Sequence, residues 1–428
     1  MRAVGVSRQG GRCNDAGRRR GSAMTGRPST VPMWGAAWLV TAVFMLSNSP
    51  TPLYVYWQQE IGFSTGMLTV IFALYIAGLL GTLLVAGQLS DRYGRRPILL
   101  PGLLAALTAC LLFAGAQSVL ALGIARLLTG IAVGVMVSAG MAAVGDLGGS
   151  DRRRQAALLA SVSMVFGAGL GPLLAGGLAQ TRAHPILSVF ATELAVLGSA
   201  LAVACLLPLC RPARSGGEPL RLRLPTVPVA NRRHLACGIA TFGPGITATS
   251  FVLALGPSLL SRLLDVRSPM IAGGMACAMF LTATGVQFAV RHWPIRSIFL
   301  ASTTATVLAM ASLGIAVHAS LALMLVVAAL LAGAGQGLGQ LGGLTLIGLH
   351  VPDGRRAEAN AVFNIGGYIP AGLLPVAAGY LIDRLGLAGG ATLFAIALAL
   401  VAGVGGLFVF KALAVLGEPR TMQPSKRE

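Results

Sequence analysis

Long apolar runs are the feature of this sequence that most limits its possible folds. About twelve of them approach or exceed the ~20 residues that an α-helix needs to cross a bilayer. They are 34–56, 67–90, 98–116, 119–145, 157–179, 186–208, 235–258, 268–290, 297–317, 319–349, 359–382 and 388–411. Only 11% of the 428 residues are charged, against about 25% in an average soluble domain. The sequence therefore predicts an all-α integral membrane protein and excludes a soluble enzyme.

The basic residues predict the orientation of the spans. If the N-terminus is inside and the spans alternate, most of the 32 Lys and Arg residues fall in cytoplasmic segments. The outer segments hold Arg182, Arg262, Arg267 and Arg384, and Arg126 lies within a span. Cytoplasmic loops of membrane proteins are enriched in Lys and Arg, so both termini are predicted to be cytoplasmic. This bias also accounts for the net charge of +19 without a nucleic-acid partner.

Polar breaks predict how the chain is divided. The predicted parts are a disordered basic N-tail (1–33), a first six-helix bundle (34–208), a cytoplasmic linker (209–234), a second six-helix bundle (235–411) and a cytoplasmic C-tail (412–428). The N-tail lacks the apolar stretch of a signal peptide, and translation could start at Met1 or Met24. One common shift aligns Pro172 with Pro370 and Gly87 with Gly285. With halves of equal length, this predicts a duplicated six-helix unit.

Cysteine and histidine spacing predicts no cofactor and no metal site. The six cysteines form no Cys-x-x-Cys pair, and no histidine lies near one at zinc spacing. No Walker lysine motif is present, which excludes ATP-driven transport by this chain alone. The five histidines are scattered over loop edges on both faces. A multi-span membrane enzyme would need a polar cluster at one face, so it is the weaker alternative.

The segment 87–97 carries the most specific motif. It reads Gly-x-Leu-x-Asp-Arg-x-Gly-Arg-Arg from Gly87 and follows the second span on the predicted cytoplasmic side. It resembles the loop between spans 2 and 3 of the major facilitator superfamily, and the resemblance covers roughly 34–411. The resemblance implies two pseudo-symmetric six-helix bundles around a central cavity. It also implies a conformational latch that joins the two halves in the outward-facing state. The latch residues would be Gly87, Asp91, Arg92, Gly94, Arg95 and Arg96, with Asp146 nearby.

The latch motif has an alternative interpretation and a second, partial copy. The three arginines of the loop could serve only as topological anchors near anionic lipid. A second copy, Gly-x-Leu-x-Asp-Arg-x-Gly, begins at Gly379, on the side predicted to be outer. It cannot be a cytoplasmic latch there, so Asp383 and Arg384 are predicted to be a structural charge pair at a helix end.

The fourth and fifth spans carry two further resemblances. Arg126, followed by Gly130 and Gly134 on one face, is similar to a family motif whose arginine faces the cavity and is implicated in proton transfer. Snorkelling to the outer interface is the alternative. The fifth span resembles a motif of the antiporter branch, with Ala175 in place of an expected glycine; a generic packing face is the alternative. The motif residues are Gly167, Gly171, Pro172, Gly176 and Gly177.

The resemblance also implies which residues line the cavity, since spans 1, 4, 7 and 10 do so in this family. The candidates for the substrate cavity or for coupling are Asn48, Thr51, Tyr54, Arg126, Thr247, Ser250, Gln336 and Gln340, with Asn364 and Tyr368 from span 11 and Glu193 from span 6. Glu193 could carry a proton or could lie at an interface between spans. Trp57 is predicted to belong to the outer aromatic belt.

The resulting expectation is a monomeric secondary transporter of the bacterial cytoplasmic membrane, similar to the twelve-span drug:proton antiporters. It would export a small organic compound in exchange for protons by alternating access. Proton-linked uptake is the alternative, because import and export use the same geometry. The expected partners are the lipid bilayer, a small-molecule substrate and protons, without a cofactor.

Overall fold

The computed structural model describes residues 30–149, 152–209, 225, 227, 229–262, 265–266, 268–352 and 355–416. This part of the chain is almost entirely helical and contains no strand. Residues 1–29, most of the linker 209–234 and residues 417–428 are outside it, so the predicted tails and linker fall largely outside the described residues.

Eleven helices of the described chain are long and apolar enough to cross a membrane. They are α1 (Val31–Ile61), α2 (Thr65–Tyr93), α3 (Arg96–Ala114), α4 (Val119–Gly148), α5 (Arg153–Thr181), α6 (Pro185–Leu206), α7 (Arg232–Arg262), α8 (Pro269–Ala289), α9 (Ile295–His318), α10 (Ala322–His350) and the long helix Arg356–Leu416. The last is interrupted at Gly386, whose φ of +78° and ψ of 165° are not helical. It therefore forms two spans, α11 (356–385) and α12 (387–416), and the predicted all-helical membrane fold is confirmed.

Three of the helices, α2, α4 and α8, begin after a serine that caps them. The hydroxyl oxygens of Ser64, Ser118 and Ser268 each accept a hydrogen bond from the backbone N–H three residues later. Such N-caps satisfy donors that would otherwise lack a partner at a helix start. The cap at Ser118 explains why the nearly continuous apolar run 98–145 divides there into two spans.

Burial separates inner helices from helices that face lipid. In its most apolar stretch, 89% of α7 is buried inside the protein, against 33% for α6 and α8. Two seams join the halves, because α2 packs against α11 and α5 packs against α8. At the second seam the backbones touch: a Cβ added at Gly273 of α8 would overlap the carbonyl oxygen of Pro172 in α5.

Candidate functional site

Helix α1 is interrupted in the middle of the protein. Its first part ends at Asn48, a 3-10 turn covers Thr51–Leu53, and a second helical part begins at Tyr54. Pro50 and Pro52 cause the break, because a proline has no N–H to donate to the preceding turn. The break is buried, so other spans must supply partners for the polar groups that it frees.

Arg126 of α4 reaches this break and is 1% exposed. Its Nη1 donates to the Ser47 carbonyl oxygen at 2.6 Å, and its Nε donates to the Tyr54 hydroxyl. The guanidinium carbon also lies 5.1–5.9 Å from the ring centres of Tyr54, Phe72, Tyr75 and Phe113. Ring faces and a carbonyl oxygen thus stabilise the buried cation. Arg126 therefore does not snorkel to an interface, and its Nη2 has no hydrogen-bond acceptor among the described residues.

Glu193 of α6 reaches the same break and is 2% exposed. Its Oε1 is hydrogen-bonded to the Ser49 hydroxyl, and its Oε2 has no partner within the described chain. Glu193 and Arg126 form no ion pair with each other in that part of the chain. The two ionisable groups instead bind α1 separately, at positions two residues apart.

The Ser49 hydroxyl contacts two acceptors but has only one proton. Its oxygen lies 2.8 Å from the Met45 carbonyl oxygen, as well as against Glu193. If Ser49 donates to Met45, the bond to Glu193 requires a protonated carboxyl that donates to Ser49. If Glu193 is ionised, Ser49 must donate to the carboxylate and leave the Met45 carbonyl. The protonation state of Glu193 therefore determines whether the Ser49 hydroxyl donates to the Met45 carbonyl, which also accepts from the Ser49 N–H at 3.2 Å.

Trp57 and Gln58 lie just beyond the break. Trp57 is fully buried and packs against the rings of Phe113 and Phe190, so it does not belong to an outer aromatic belt. Gln58 was not predicted as a site residue, although it lies four residues after Tyr54 on the same helix face. Its Oε1 accepts a hydrogen bond from the Ser258 hydroxyl of α7 at 3.2 Å, which joins the two halves.

The structure brings only some of the predicted cavity residues together. Asn48, Thr51, Tyr54, Arg126 and Glu193 surround the α1 break. In the second half, Thr247 and Asn364 hydrogen-bond to carbonyl oxygens of their own helices. Ser250 is buried, whereas Gln336, Gln340, Asn364 and Tyr368 are partly exposed.

Two residues of the 87–97 motif, Asp91 and Arg95, interact with each other and with Asp146 of α4, all within the first half. Arg95 hydrogen-bonds to Asp91 Oδ1 at 2.7 Å and to Asp146 Oδ2 at 3.0 Å. Partial burial alone would lower the pKa of the Arg95 guanidinium, but its bonds to Asp146 and Asp91, and their charges, outweigh burial and raise it. Asp91 is 74% exposed. A Cβ added at Gly87 would meet no atom within 4 Å, so this face of α2 has no close neighbour at Gly87.

The glycine motif of α5 packs against two different helices. A Cβ at Gly167 or Gly171 would overlap the Thr41 or Met45 carbonyl oxygen of α1. A Cβ at Gly176 would overlap the Pro269 carbonyl oxygen of α8, whereas one at Gly177 would meet nothing within 4 Å. The motif thus positions α5 between the α1 break and the second half.

The fold and these buried polar groups define an α-helical integral membrane protein with a polar cluster at the α1 break of its first half. The family model described as Major Facilitator Superfamily matches residues 36–293, which is more than half of the chain. The chain therefore belongs to the major facilitator superfamily, a family of transporters and not of enzymes.

Curated relatives match a shorter part of the chain. It is 36% identical over 107 residues to the multidrug resistance protein MdtL of Shewanella oneidensis, covering 25% of this chain and 26% of that protein. It is 38% identical over 119 residues to the class H tetracycline resistance protein of Pasteurella multocida, covering 27% and 28%. The chain thus spans about a quarter of the length of the curated relatives it matches. These bacterial relatives indicate the inner membrane.

Solved structures share the fold at low sequence identity. A POT family transporter in complex with a thioalcohol-conjugated peptide has a TM-score of 0.73 and 12% identity, covering 90% of this chain and 96% of that one. The nucleoside transporter NupG has a TM-score of 0.68 and 13% identity, covering 91% and 100%. At these identities the similarity establishes the fold alone.

Proposed function

We propose that the chain is a secondary active transporter that exports a small organic compound in exchange for protons by alternating access. The observation that carries this proposal is the α1 break, where buried Arg126 and buried Glu193 bind residues two positions apart on one interrupted helix. Ionisable groups inside a membrane are costly, and in transporters they mark substrate sites and proton relays. The direction of transport is supported by the relatives that are named for multidrug and tetracycline resistance.

In this proposal Glu193 carries the proton. Its Oε2 is unpartnered among the described residues, and its Oε1 is bonded to Ser49. Loss of the proton moves the Ser49 hydroxyl from the Met45 carbonyl to the carboxylate, which leaves that carbonyl with the Ser49 N–H alone. Cys110 of α3 lies close to Glu193, since its thiol donates to the Phe190 carbonyl one turn earlier on α6. Arg126 is bonded to Ser47, two residues before Ser49 on α1.

Arg126 has a different role in the proposal. A guanidinium stays protonated at any working pH, so it cannot release the transported proton. Its unpartnered Nη2 would donate to an oxygen of the substrate, and the surrounding aromatic rings would contact the substrate's apolar part. This arrangement favours neutral or anionic compounds with an aromatic group.

The arrangement in the membrane is part of the same proposal. Both termini and the linker 209–234 would be cytoplasmic, and the two bundles, 34–208 and 235–411, would rock against each other as a monomer. With this orientation, the bonds from Ser258 to Gln58 and from Ser268 to Gln180 close the outer side. The structure would then be the inward-facing state.

Vesicle transport tests the proposal and its direction. Inside-out vesicles with an acidic lumen should accumulate tetracycline or a neutral aromatic compound, and a protonophore should abolish the accumulation. An uptake symporter would instead accumulate the compound in right-side-out vesicles placed in an acidic medium. Transport that is independent of the proton gradient in both vesicle types would contradict proton coupling. Vesicles containing Arg126→Ala protein serve as the inactive control.

A further inference from the structure

The second copy of the loop motif, which begins at Gly379, has no place in the function described above. Gly379 and Asp383 are four residues apart on α11, as Gly87 and Asp91 are on α2. Residues at this spacing share one face of a helix. The two copies therefore present the same pair, a glycine and an aspartate, at opposite ends of two helices that pack together.

The outer copy makes a defined contact across the two halves. Asp383 Oδ1 accepts from the Thr65 N–H at 2.9 Å, and Asp383 Oδ2 accepts from the Gly66 N–H at 2.8 Å. These two N–H groups are at the start of α2, where no carbonyl of the helix can accept from them. A carboxylate at this position forms charge-assisted hydrogen bonds and also interacts favourably with the helix dipole.

Two glycines allow this contact. A Cβ added at Gly379 would overlap Thr69 Oγ1 and lie 3.0 Å from Gly66 Cα. A Cβ added at Gly66 would lie 2.8 Å from Asp383 Oδ2 and from the Tyr380 ring. Larger residues at either position would hold α2 and α11 apart and move the carboxylate away from the N–H groups.

In the described part of the chain, the glycine and aspartate of the inner copy, Gly87 and Asp91, do not make such a contact with the second half. Asp91 is 74% exposed and is bonded to Arg95 of its own half. A Cβ at Gly87 would meet no atom within 4 Å, whereas one at Gly379 would collide with α2. Asp383 is thus bonded to the other half, whereas Asp91 is bonded to Arg95 of its own half.

We propose that Asp383 is a state-determining residue of the transport cycle, which closes the outer seam between α2 and α11. The inner motif would stabilise the outward-facing state, and Asp383 would stabilise the inward-facing one. Because both act on the same pair of helices at opposite ends, one contact breaks as the other forms. This rests on the proposed alternating access, and it replaces the expectation that Asp383 and Arg384 are only a structural pair.

Distance measurements between spin labels test the proposal without a substrate. An outer pair at Glu60 and Leu385 and an inner pair at Tyr93 and Leu349 use exposed residues of the two halves, in a variant without native cysteines. Asp383→Asn keeps the size but removes the charge. We expect it to lower the ratio of outer-closed to outer-open molecules by about tenfold. Asp91→Asn should shift the ratio the other way, and the double variant should restore it.

The matched control is Ser64→Ala. It removes the cap that α2 receives from its own half but leaves the bonds to Asp383. A purely structural role for Asp383 predicts that Ser64→Ala and Asp383→Asn lower the melting temperature alike and that neither changes the distances. That outcome would overturn the proposal, as would a shift of equal size in both variants.

If Asp383→Asn does not fold, Gly379→Ala provides a second test. It retains the Asp383 charge but separates α2 from α11, so it should also lengthen the distance between the outer spin labels. Unchanged distances in Gly379→Ala would contradict the proposal. The distance measurements need no substrate, so the two proposals can fail separately. If Asp383→Asn shifts the distances but the wild-type protein transports nothing, Asp383 remains a latch and the proposed function is rejected. If the wild-type protein transports but Asp383→Asn leaves the distances unchanged, the proposed function stands and the latch is rejected.

Discussion

At the scale of single residues, two ionisable side chains that are costly to bury in a bilayer both bind α1 next to its break. Arg126 is stabilised by ring faces and a carbonyl oxygen, and Glu193 is bonded to a hydroxyl rather than to a cation. The sequence predicts both residues as candidates, because charged residues inside a span are rare. It does not predict their partners, since these depend on which face of each helix is turned towards α1. The role of Ser49 cannot be predicted from the sequence, because it depends on two acceptors, the Met45 carbonyl and Glu193, that only the fold brings to it.

Glu193→Gln tests the proton site. Glutamine keeps the size and can still hydrogen-bond to Ser49, but it cannot release a proton. We expect gradient-driven accumulation to fall to the level seen with a protonophore, and the pH dependence of transport to disappear. Downhill exchange and the melting temperature should change little. Glu60→Gln, an exposed acid in the same half, is the control and should behave like the wild type. An unaltered pH profile in Glu193→Gln would assign Glu193 a structural role.

Arg126→Lys tests the substrate site. Lysine keeps the charge but lacks the planar fork that contacts Ser47, Tyr54 and a substrate oxygen at the same time. We expect the apparent KM to rise by about tenfold or more, with a smaller effect on the maximal rate. Initial rates over a range of concentrations in vesicles measure both. An equal loss of maximal rate at unchanged KM would indicate that Arg126 acts in the conformational change instead.

At the scale of helices, the spans are predictable and their contacts are not. Each predicted apolar run coincides with a helix, because length and hydropathy alone decide which segments cross a bilayer. Some helices, such as α1, α5 and α7, extend several residues beyond their runs, since polar flanks continue the helix outside the hydrocarbon core. Asp383 shows the limit of this reasoning. Its motif is visible in the sequence, but its bond to α2 joins residues more than 300 positions apart and depends on tertiary packing.

Gly171→Ala tests the packing of α5 on α1. The added methyl would overlap the Met45 carbonyl oxygen and lie 2.9 Å from Ser49 Oγ. We expect a loss of about 1–3 kcal/mol of stability, typical of overpacking, together with a loss of transport because Ser49 is displaced. Gly177→Ala in the same motif is the control, since its methyl meets nothing within 4 Å. It should fold as well as the wild type or slightly better. Equal melting temperatures for the two variants would contradict this packing argument.

At the scale of the whole molecule, the hydrogen bonds between the halves are distributed unevenly among the described residues. Gln58 with Ser258, Gln180 with Ser268 and Asp383 with the start of α2 all lie at the ends predicted to be outer. The charged cluster around Arg95 joins only residues of the first half. The orientation of the chain in the membrane therefore decides whether this structure is the inward-facing or the outward-facing state.

Thiol labelling in intact cells tests that orientation. With both termini inside, a cysteine at Ser215 in the linker should resist an impermeant thiol reagent, whereas one at Ser64, exposed between α1 and α2, should react. The physical reason is the segregation of basic residues, since Lys and Arg are retained on the cytoplasmic side during insertion. After permeabilisation both positions should react, which controls for accessibility. Labelling of the cysteine at 215 alone in intact cells would invert the assignment. The closed ends would then face the cytoplasm, and Asp383 would stabilise the outward-facing state.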